Sequence, residues 1–354
     1  MPQLLIQRLR ERFRVQPILE KFFKGTSCSI GLDIGSTSVK ALKLQRAPAG
    51  LKLLKAATAP LAPGGDSSQR VAAIQQVMDE LDGHEAPVVT GIGGQGTVLR
   101  LVLIPKMSPA ELKGALGFEA EKYIPFKVEE TRLDFHVVGD RPGGRIEVLL
   151  AAARQEVVTA HLEMLSGAGV SPRALDLEAV AMANAWELGH SSGDSEAVAL
   201  IQVGARGTLL NVLRGSQLQF TREIPMAGNT LTQAVAAALG VDGATAEKIK
   251  CEPGQRREEV IAALEPRWEE WLAQCRASFD FYESQFGFKV ARICVGGGSA
   301  ALTGFQDWIK AASGLPVEEW DPLRKLTQEP NCGFPESHRS SFGIAVGLAV
   351  REAG

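Results

Sequence analysis

Residues 30–44 read IGLDIGSTSVKALKL, and the fold turns on how that stretch is read. An apolar run halts at Asp33, passes through Gly35, Ser36, Thr37 and Ser38, and resumes as a second apolar run. One reading is an ordinary β-hairpin whose turn is filled with small polar residues. The other is a phosphate-and-metal turn, with the Asp33 carboxylate toward a cation and the turn's N–H groups toward an anion. The stretch by itself is compatible with both.

A second copy lies half a chain away. Residues 198–213 read VALIQVGARGTLLNVL. With Gly35 aligned on Gly204, Ile34 falls on Val203, Ser36 on Ala205 and Ser38 on Gly207. Each unit is apolar strand, glycine turn, apolar strand, and two such units point to a duplicated α/β domain. A two-lobed protein of that kind binds its ligand in a cleft with one turn from each lobe facing it. A third element, ARICVGGGSAALTGF (291–305), is an apolar strand, then Gly296, Gly297, Gly298 and Ser299, then a helical pattern through Phe305, Trp308 and Ile309. Glycines at a strand-to-helix turn allow close backbone approach, and a helix N-terminus favours anions. In TAEKIKC (245–251), Glu247 and Lys250 share a helix face. They read either as a solvated ion pair or as partners for ribose hydroxyls or a base.

Between the two turns lies a block with its own pattern. In KMSPAELKGALGFEAEKYIPFKVEE (106–130), Ser108, Pro109 and Glu111 predict a helix N-terminus with a capping box. Leu112, Leu116 and Ala120 form its stripe, and the helix stops before Pro125. Residues 133–138 and 145–153 read as strands around a Pro142-Gly143-Gly144 turn, and 155–170 as a helix ending at Gly167 or Gly169. The block reads as an inserted subdomain.

Bulk composition narrows the classes. The chain has 354 residues with 45% hydrophobic content, enough for two domains. A net charge of −3 gives no sign of nucleic-acid binding. Five scattered cysteines without CxxC read as thiols in a reducing compartment. Five histidines without HExxH speak against an imidazole-built metal site. No stretch approaches the ~20 apolar residues of a membrane span, and Arg8, Arg10, Arg12 and Arg14 interrupt any secretory signal, so a cytoplasmic location is expected. Residues 1–27 form a basic extension with Leu5, Leu9 and Phe13 at helical spacing. It reads as an amphipathic segment on an anionic surface or a partner, or as a frayed end.

These stretches together resemble the actin-like ATPases, and within them the PilM family of type IV pilus assembly, with the FtsA division proteins nearby. The resemblance covers about 28–354 and rests on GLDIGSTSVKALKL, ELKGALGFEAEKYIPFKVEETRLDF, REIPMAGNTLTQAVAAALG with TAEKIK, CVGGGSAALTGFQDWI, LPVEEWDPL and GIAVGLAVRE. EAEKYIPF (119–126) is the stretch that separates the pilus branch from sugar kinases, chaperones and actin. The implied fold is α/β, an actin-like (RNase H-like) two-lobed duplication with an inserted FtsA-type subdomain. The implied boundaries are 28–97 with 172–196 and 338–354 for the first lobe, 98–171 for the insert, 197–235 with 290–337 for the second lobe and 236–289 for its helical subdomain.

The resemblance also implies a cleft for ATP and Mg2+. Asp33 would meet the metal through water, and Gly35, Ser36, Thr37 and Ser38 would cradle phosphates with Lys40 near. Gly204, Ala205, Arg206, Gly207 and Thr208 would form the second phosphate turn, with Gly228 as a further nucleotide-binding residue. Glu247 and Lys250 would hold ribose or adenine, and Gly296, Gly297, Gly298 and Ser299 would pack on the nucleoside. No catalytic residue is assigned. The family's second turn commonly has an acidic residue where this chain has Gln202, which cannot carry charge; loss of a general base costs ~10²–10⁴ in rate. Slow or absent hydrolysis is therefore expected. Asp176 and Glu178 are alternative carboxylates, or equally helix-cap and surface residues. Ala227 stands where many relatives have glycine, which bears on how closely that loop approaches the nucleotide.

The implied function is a cytoplasmic scaffold of the inner-membrane alignment complex. It would hold the N-terminal cytoplasmic peptide of a PilN-like partner in a groove between the first lobe and the insert, with helix 109–122 and strands 133–138 and 145–153 as candidate walls. Membrane association would run through that partner, with the assembly motor as a neighbour and ring formation or self-association as an option. Alternatives on the same fold are an FtsA-like filament-forming tether and a phosphotransferase.

Overall fold

The computed structural model describes residues 28–353 except 49, 63, 84, 191–194 and 335. The basic extension 1–27 lies outside the described residues. The chain runs through β1 (Cys28–Ile34), β2 (Ser38–Ala47), β3 (Gly50–Pro60), α1 (Ser67–Glu80), β4 (Val88–Ile92), β5 (Thr97–Pro105), α2 (Pro109–Ala120), β6 (Thr131–Arg141), β7 (Arg145–Arg154), α3 (Gln155–Gly167), β8 (Ala174–Leu177) and α4 (Glu178–Glu187). It continues through β9 (Ala197–Val203), β10 (Thr208–Arg214), β11 (Gln217–Ile224), α5 (Gly228–Leu239), α6 (Gly243–Cys251), α7 (Arg257–Phe286), β12 (Val290–Gly296), α8 (Phe305–Ser313), β13 (Val317–Glu319), β14 (Thr327–Gln328) and α9 (Gly343–Ala353). Two compact units result. The first takes the described residues up to Ala185, Leu326–Phe334 and those from Ile344 onward; the second takes Trp186–Lys325 and the described part of 335–343.

The first unit is built on a sheet ordered β14-β3-β2-β1-β4-β8. β1 pairs antiparallel with β2 and parallel with β4. A strand in that central place is covered on both sides, which is why CSIGLDI lacks the polar alternation of a surface strand. Ile30 and Leu32 pack with Ile74, Val77 and Leu81 of the α1 side. Each such buried aliphatic side chain contributes roughly 1.5–3 kcal/mol. The alternate residues are small because α9 lies against the strand's backbone. Ser29 donates its hydroxyl proton to the Ala349 carbonyl at 2.7 Å, and a Cβ on Gly31 would collide with the Ala345 carbonyl. In the same period-two register Asp33 falls on the Ser29 and Gly31 side.

The insert is an antiparallel sheet ordered β5-β7-β6 with α2 on one face. Local chemistry starts α2 where the sequence puts it: the Ser108 N–H donates to Glu111 Oε2 at 2.7 Å, and the Glu111 N–H donates to the Ser108 hydroxyl at 3.3 Å. Leu112 and Ala120 then bury against Val102, Ile104, Ile146, Val148, Leu150 and Ala152.

The second unit's sheet is ordered β11-β10-β9-β12-β13. β9 pairs antiparallel with β10 and parallel with β12. Order and sense repeat β3-β2-β1-β4-β8 of the first unit. Its core gathers β9, β10 and β12 with Leu231, Leu264, Trp268, Trp271, Phe305 and Ile309.

Candidate functional site

The two glycine turns, one in each unit, share one backbone device. The Gly35 N–H donates to the Ser38 carbonyl at 3.0 Å, and the Gly204 N–H donates to the Gly207 carbonyl at 3.0 Å. A Cβ on either glycine would lie 2.9 Å from that same carbonyl, so both positions admit only hydrogen. The alignment of Gly35 with Gly204 thus corresponds to equal geometry. The glycine's own N–H is spent on closing the turn, so it is not a donor free for a ligand.

In the first unit, β1 carries Asp33 opposite Lys40 of β2. Asp33 is 6% exposed, and Lys40 Nζ stands 3.9 Å from its Oδ2, a long pair. Burial pushes the Asp33 carboxyl above the usual carboxylate range, and the Lys40 charge opposes that only in part. A buried carboxylate this weakly matched fits a divalent cation. One carboxylate is enough for Mg2+, which keeps several waters and takes substrate phosphates as further ligands. Among the described residues there is no cluster of three or more His, Cys, Asp or Glu that would hold an ion without such help.

In the second unit, the Gly204–Thr208 turn is held from two directions. The Gly228 N–H donates to the Gly204 carbonyl at 3.0 Å, and the Asn229 N–H donates to the Ala205 carbonyl at 2.8 Å. The Ser299 hydroxyl donates to the same Gly204 carbonyl at 3.0 Å. A Cβ on Gly228 would sit 2.6 Å from the Ser299 hydroxyl oxygen. The close approach that bears on the 226–229 loop is therefore at Gly228, while the Ala227 methyl is buried within the unit. Arg206 projects at the exposed tip. The Thr208 hydroxyl is committed to the core: it donates to the Met226 carbonyl at 2.7 Å and accepts from Trp271 Nε1 at 3.1 Å. What Thr208 offers a ligand is backbone alone.

The glycine run departs from its reading as a strand-to-helix turn. β12 passes into a 3₁₀ turn, Gly298–Ala301, and α8 opens only at Phe305, so no α-helical N-terminus follows the glycines. The cause is Gly297, whose φ of 97° lies in the left-handed region. Its N–H donates to the Ser340 carbonyl at 3.1 Å, and a Cβ there would strike the Val203 carbonyl. Gly298 faces open space, with no heavy atom within 4 Å of its notional Cβ. Gln202 lies beside this run, 7% exposed. Its Nε2 is 3.5 Å from the Ser341 carbonyl, while its Oε1 is buried with no hydrogen-bond partner among the described residues.

Glu247 and Lys250 do pair, at 2.6 Å, but only the carboxylate partner faces solvent. Lys250 is 3% exposed, against 49% for the Glu247 side chain. α6 is set up for this by Asp242, whose carboxylate accepts from the Ala244 and Thr245 N–H groups at its N-terminus. Burial works to raise the Glu247 carboxyl, yet hydrogen bonds from Lys250 and Thr232 outweigh it and hold the group low. Thr232 belongs to this cluster and no local sequence signal marked it. Asp176 is neither a cap nor a surface residue: it forms a buried ion pair with Arg351 at 2.6 Å. Glu178 opens α4, and its carboxylate fills the space that a side chain at Gly93 would need.

Comparison with known proteins places this geometry. The profile of the family described as Type IV pilus assembly protein PilM matches residues 31–353. Among solved structures, a PilM-PilN type IV pilus biogenesis complex is similar with TM-score 0.82 and 27% identity, covering 92% of this chain and 98% of that one. The ethanolamine utilization protein EutJ from Carboxydothermus hydrogenoformans is similar at TM-score 0.56 and 14% identity, covering 99% and 98%. MreB 5 of Spiroplasma citri, solved bound to AMPPNP, follows at TM-score 0.50 and 13% identity, covering 91% and 95%. The last two share the fold alone. With the repeated sheet, the twin turns and a profile match over nearly the whole length, the chain has the actin-like fold and belongs to the family of the type IV pilus assembly protein PilM.

Proposed function

We propose that this chain is an ATP-binding scaffold of type IV pilus assembly that holds nucleotide with Mg2+, hydrolyses it slowly or not at all, and docks the N-terminal cytoplasmic peptide of a PilN-like inner-membrane protein. The observation that carries the nucleotide reading is the hairpin turn built twice with the same closing hydrogen bond, one copy beside a buried, weakly paired carboxylate. In this reading the residues after Gly35 and Gly204 supply N–H groups to phosphate oxygens, with Lys40 and Arg206 as cations. Asp33 receives Mg2+, which supplies charge neutralisation at the phosphates. Glu247 accepts from ribose, and the backbone at Gly296–Ser299 packs against the nucleoside. Gln202 is a neutral amide where a general base would stand, which accounts for slow turnover.

The partner reading draws on the similar PilM-PilN complex. Leu103, Phe118, Val137 and Val138 all belong to the insert, and they are four of the six large apolar side chains that stand exposed among the described residues. Exposed large apolar side chains are candidate docking contacts, and an extended apolar peptide is the class of ligand proposed for them. Association with the inner membrane then runs through the partner; among the described residues no helix is long and apolar enough to cross a membrane. Contact with the assembly motor and ring formation are further parts of the proposal.

Calorimetric titration with ATP, with Mg2+ and with EDTA, tests the first half, and titration with the partner peptide tests the second. Heat of binding with Mg2+ and a strong loss in EDTA is expected, with phosphate release near background. No heat with Mg·ATP would overturn the nucleotide reading, and no heat with the peptide would overturn the docking reading.

A further inference from the structure

An ammonium group has three N–H donors and no acceptor. At Lys250 all three are taken inside the second unit: by the Gly228 carbonyl at 3.1 Å, the Thr232 hydroxyl oxygen at 2.8 Å and Glu247 Oε2 at 2.6 Å. The Thr232 hydroxyl has one proton for two acceptors in reach, the Gly228 carbonyl at 2.9 Å and the Glu247 carboxylate. A lysine that touches a ligand needs a free donor, and this one has none to give without breaking a contact. Its acceptors lead elsewhere. Gly228 opens α5, and the N–H groups of Gly228 and Asn229 hold the carbonyls of Gly204 and Ala205. Glu247 differs: its Oε2 is occupied, but its Oε1 has only the Cys251 thiol, at 3.6 Å, among the described residues.

We propose that Lys250 is a positioning residue that, with Thr232, clamps the first turn of α5 and so shapes the Gly204–Thr208 turn, leaving Glu247 Oε1 as the group that reads the sugar. Lys250 thus acts on phosphate through the turn, and Glu247 acts on the nucleoside directly. The ligand side of this inference rests on the nucleotide reading above; the clamp itself does not.

Three variants separate the roles: Lys250→Met, Thr232→Val as a milder cut of the same clamp, and Glu247→Gln. Amide hydrogen exchange needs no ligand. Lys250→Met is expected to speed exchange at Gly228 and Asn229 by tenfold or more, and Thr232→Val by less, on the scale of one lost charge-assisted or neutral hydrogen bond. Titrations with Mg·ATP, Mg·2′-deoxy-ATP and Mg·tripolyphosphate then divide the ligand effects. Lys250→Met weakens all three by one common factor. Glu247→Gln brings the ATP and deoxy-ATP affinities together, a convergence that Lys250→Met does not produce. Unchanged exchange at Gly228 and Asn229 overturns the clamp. A Lys250→Met loss confined to ATP and deoxy-ATP assigns Lys250 to the nucleoside and overturns its positioning role. If the wild-type protein binds none of the three ligands, the nucleotide reading fails, and the exchange result still decides the clamp.

Discussion

Asp33 sets its own cost. Its folded-state carboxyl is held up by burial, with Lys40 opposing only in part, so ionising it costs the apo fold stability. The stability this gives is present below the unfolded group's value and is lost as pH rises through the raised one. Asp33→Asn is therefore expected to raise the apo melting temperature at pH 7–8, to do little at the acid end, and to abolish Mg-dependent ATP binding. Thermal melts across pH with parallel titrations check both arms; a variant less stable at pH 8 would refute the account. The glycine run gives a second test. Gly298→Ala adds a methyl where nothing stands within 4 Å, so apo stability should hold within ~0.5 kcal/mol while ATP affinity falls. Gly297→Ala meets a positive φ and the Val203 carbonyl and should cost on the order of 1–3 kcal/mol before any ligand is added. An unchanged ATP affinity in Gly298→Ala would remove the nucleoside from Gly298, and equal behaviour of the two in chemical denaturation would overturn the strain at Gly297. At this scale the sequence was legible wherever chemistry is local: both turns and the Ser108–Glu111 box were readable from neighbours in the chain. The commitment of Thr208 to the core was not, because its partners Met226 and Trp271 lie 18 and 63 residues on.

Elements tie these residues to what the protein does. The insert's exposed apolar residues stand on β5, α2 and β6. Leu103→Asp on β5 should leave the fold within ~0.5 kcal/mol, being a surface change, and weaken the partner peptide about tenfold or more without altering ATP binding. Fluorescence anisotropy with a labelled peptide measures this; an unchanged affinity would move the docking surface off β5. Between β4 and α3, Thr90 and His161 share a buried hydrogen bond of 2.9 Å. Burial holds the imidazole down to about 4. The stability from keeping it neutral is full above its ordinary value of 6.5 and is lost as pH falls from there toward 4, on the order of 3 kcal/mol at most. Urea unfolding at pH 7 and at pH 4.5 should show a smaller loss for His161→Gln than for the wild type. Element identities followed from periodicity and caps. The run after β12 did not, because the 3₁₀ turn there depends on Ser340, a distant carbonyl that no local pattern announces.

Across the molecule, contacts between chain-distant segments join the pieces that local reading leaves apart. Arg351 on α9 pairs with Asp176 on β8, both side chains nearly inaccessible. Removing either partner strands a buried charge, so Asp176→Asn or Arg351→Met alone should cost ~3–5 kcal/mol, and the double change to Leu and Met should recover much of it. A double-mutant cycle by denaturant unfolding reads the coupling; additive losses would mean that the pair is not coupled. Half the architecture could be inferred from Gly35 and Gly204, because a repeated pattern reports a repeated fold without any long-range knowledge. Arg351 with Asp176, 175 positions apart, could not.

The repeated strand order carries a historical consequence. The copies differ in their connections: the first carries β5–β7 and α2 after β4, and the second carries α5–α7 after β11 where the first has α1 after β3. A half-length ancestor pairing with itself would have had to place any such addition on both halves at once. A single chain carrying both copies is under no such constraint, and its two halves differ at these connections.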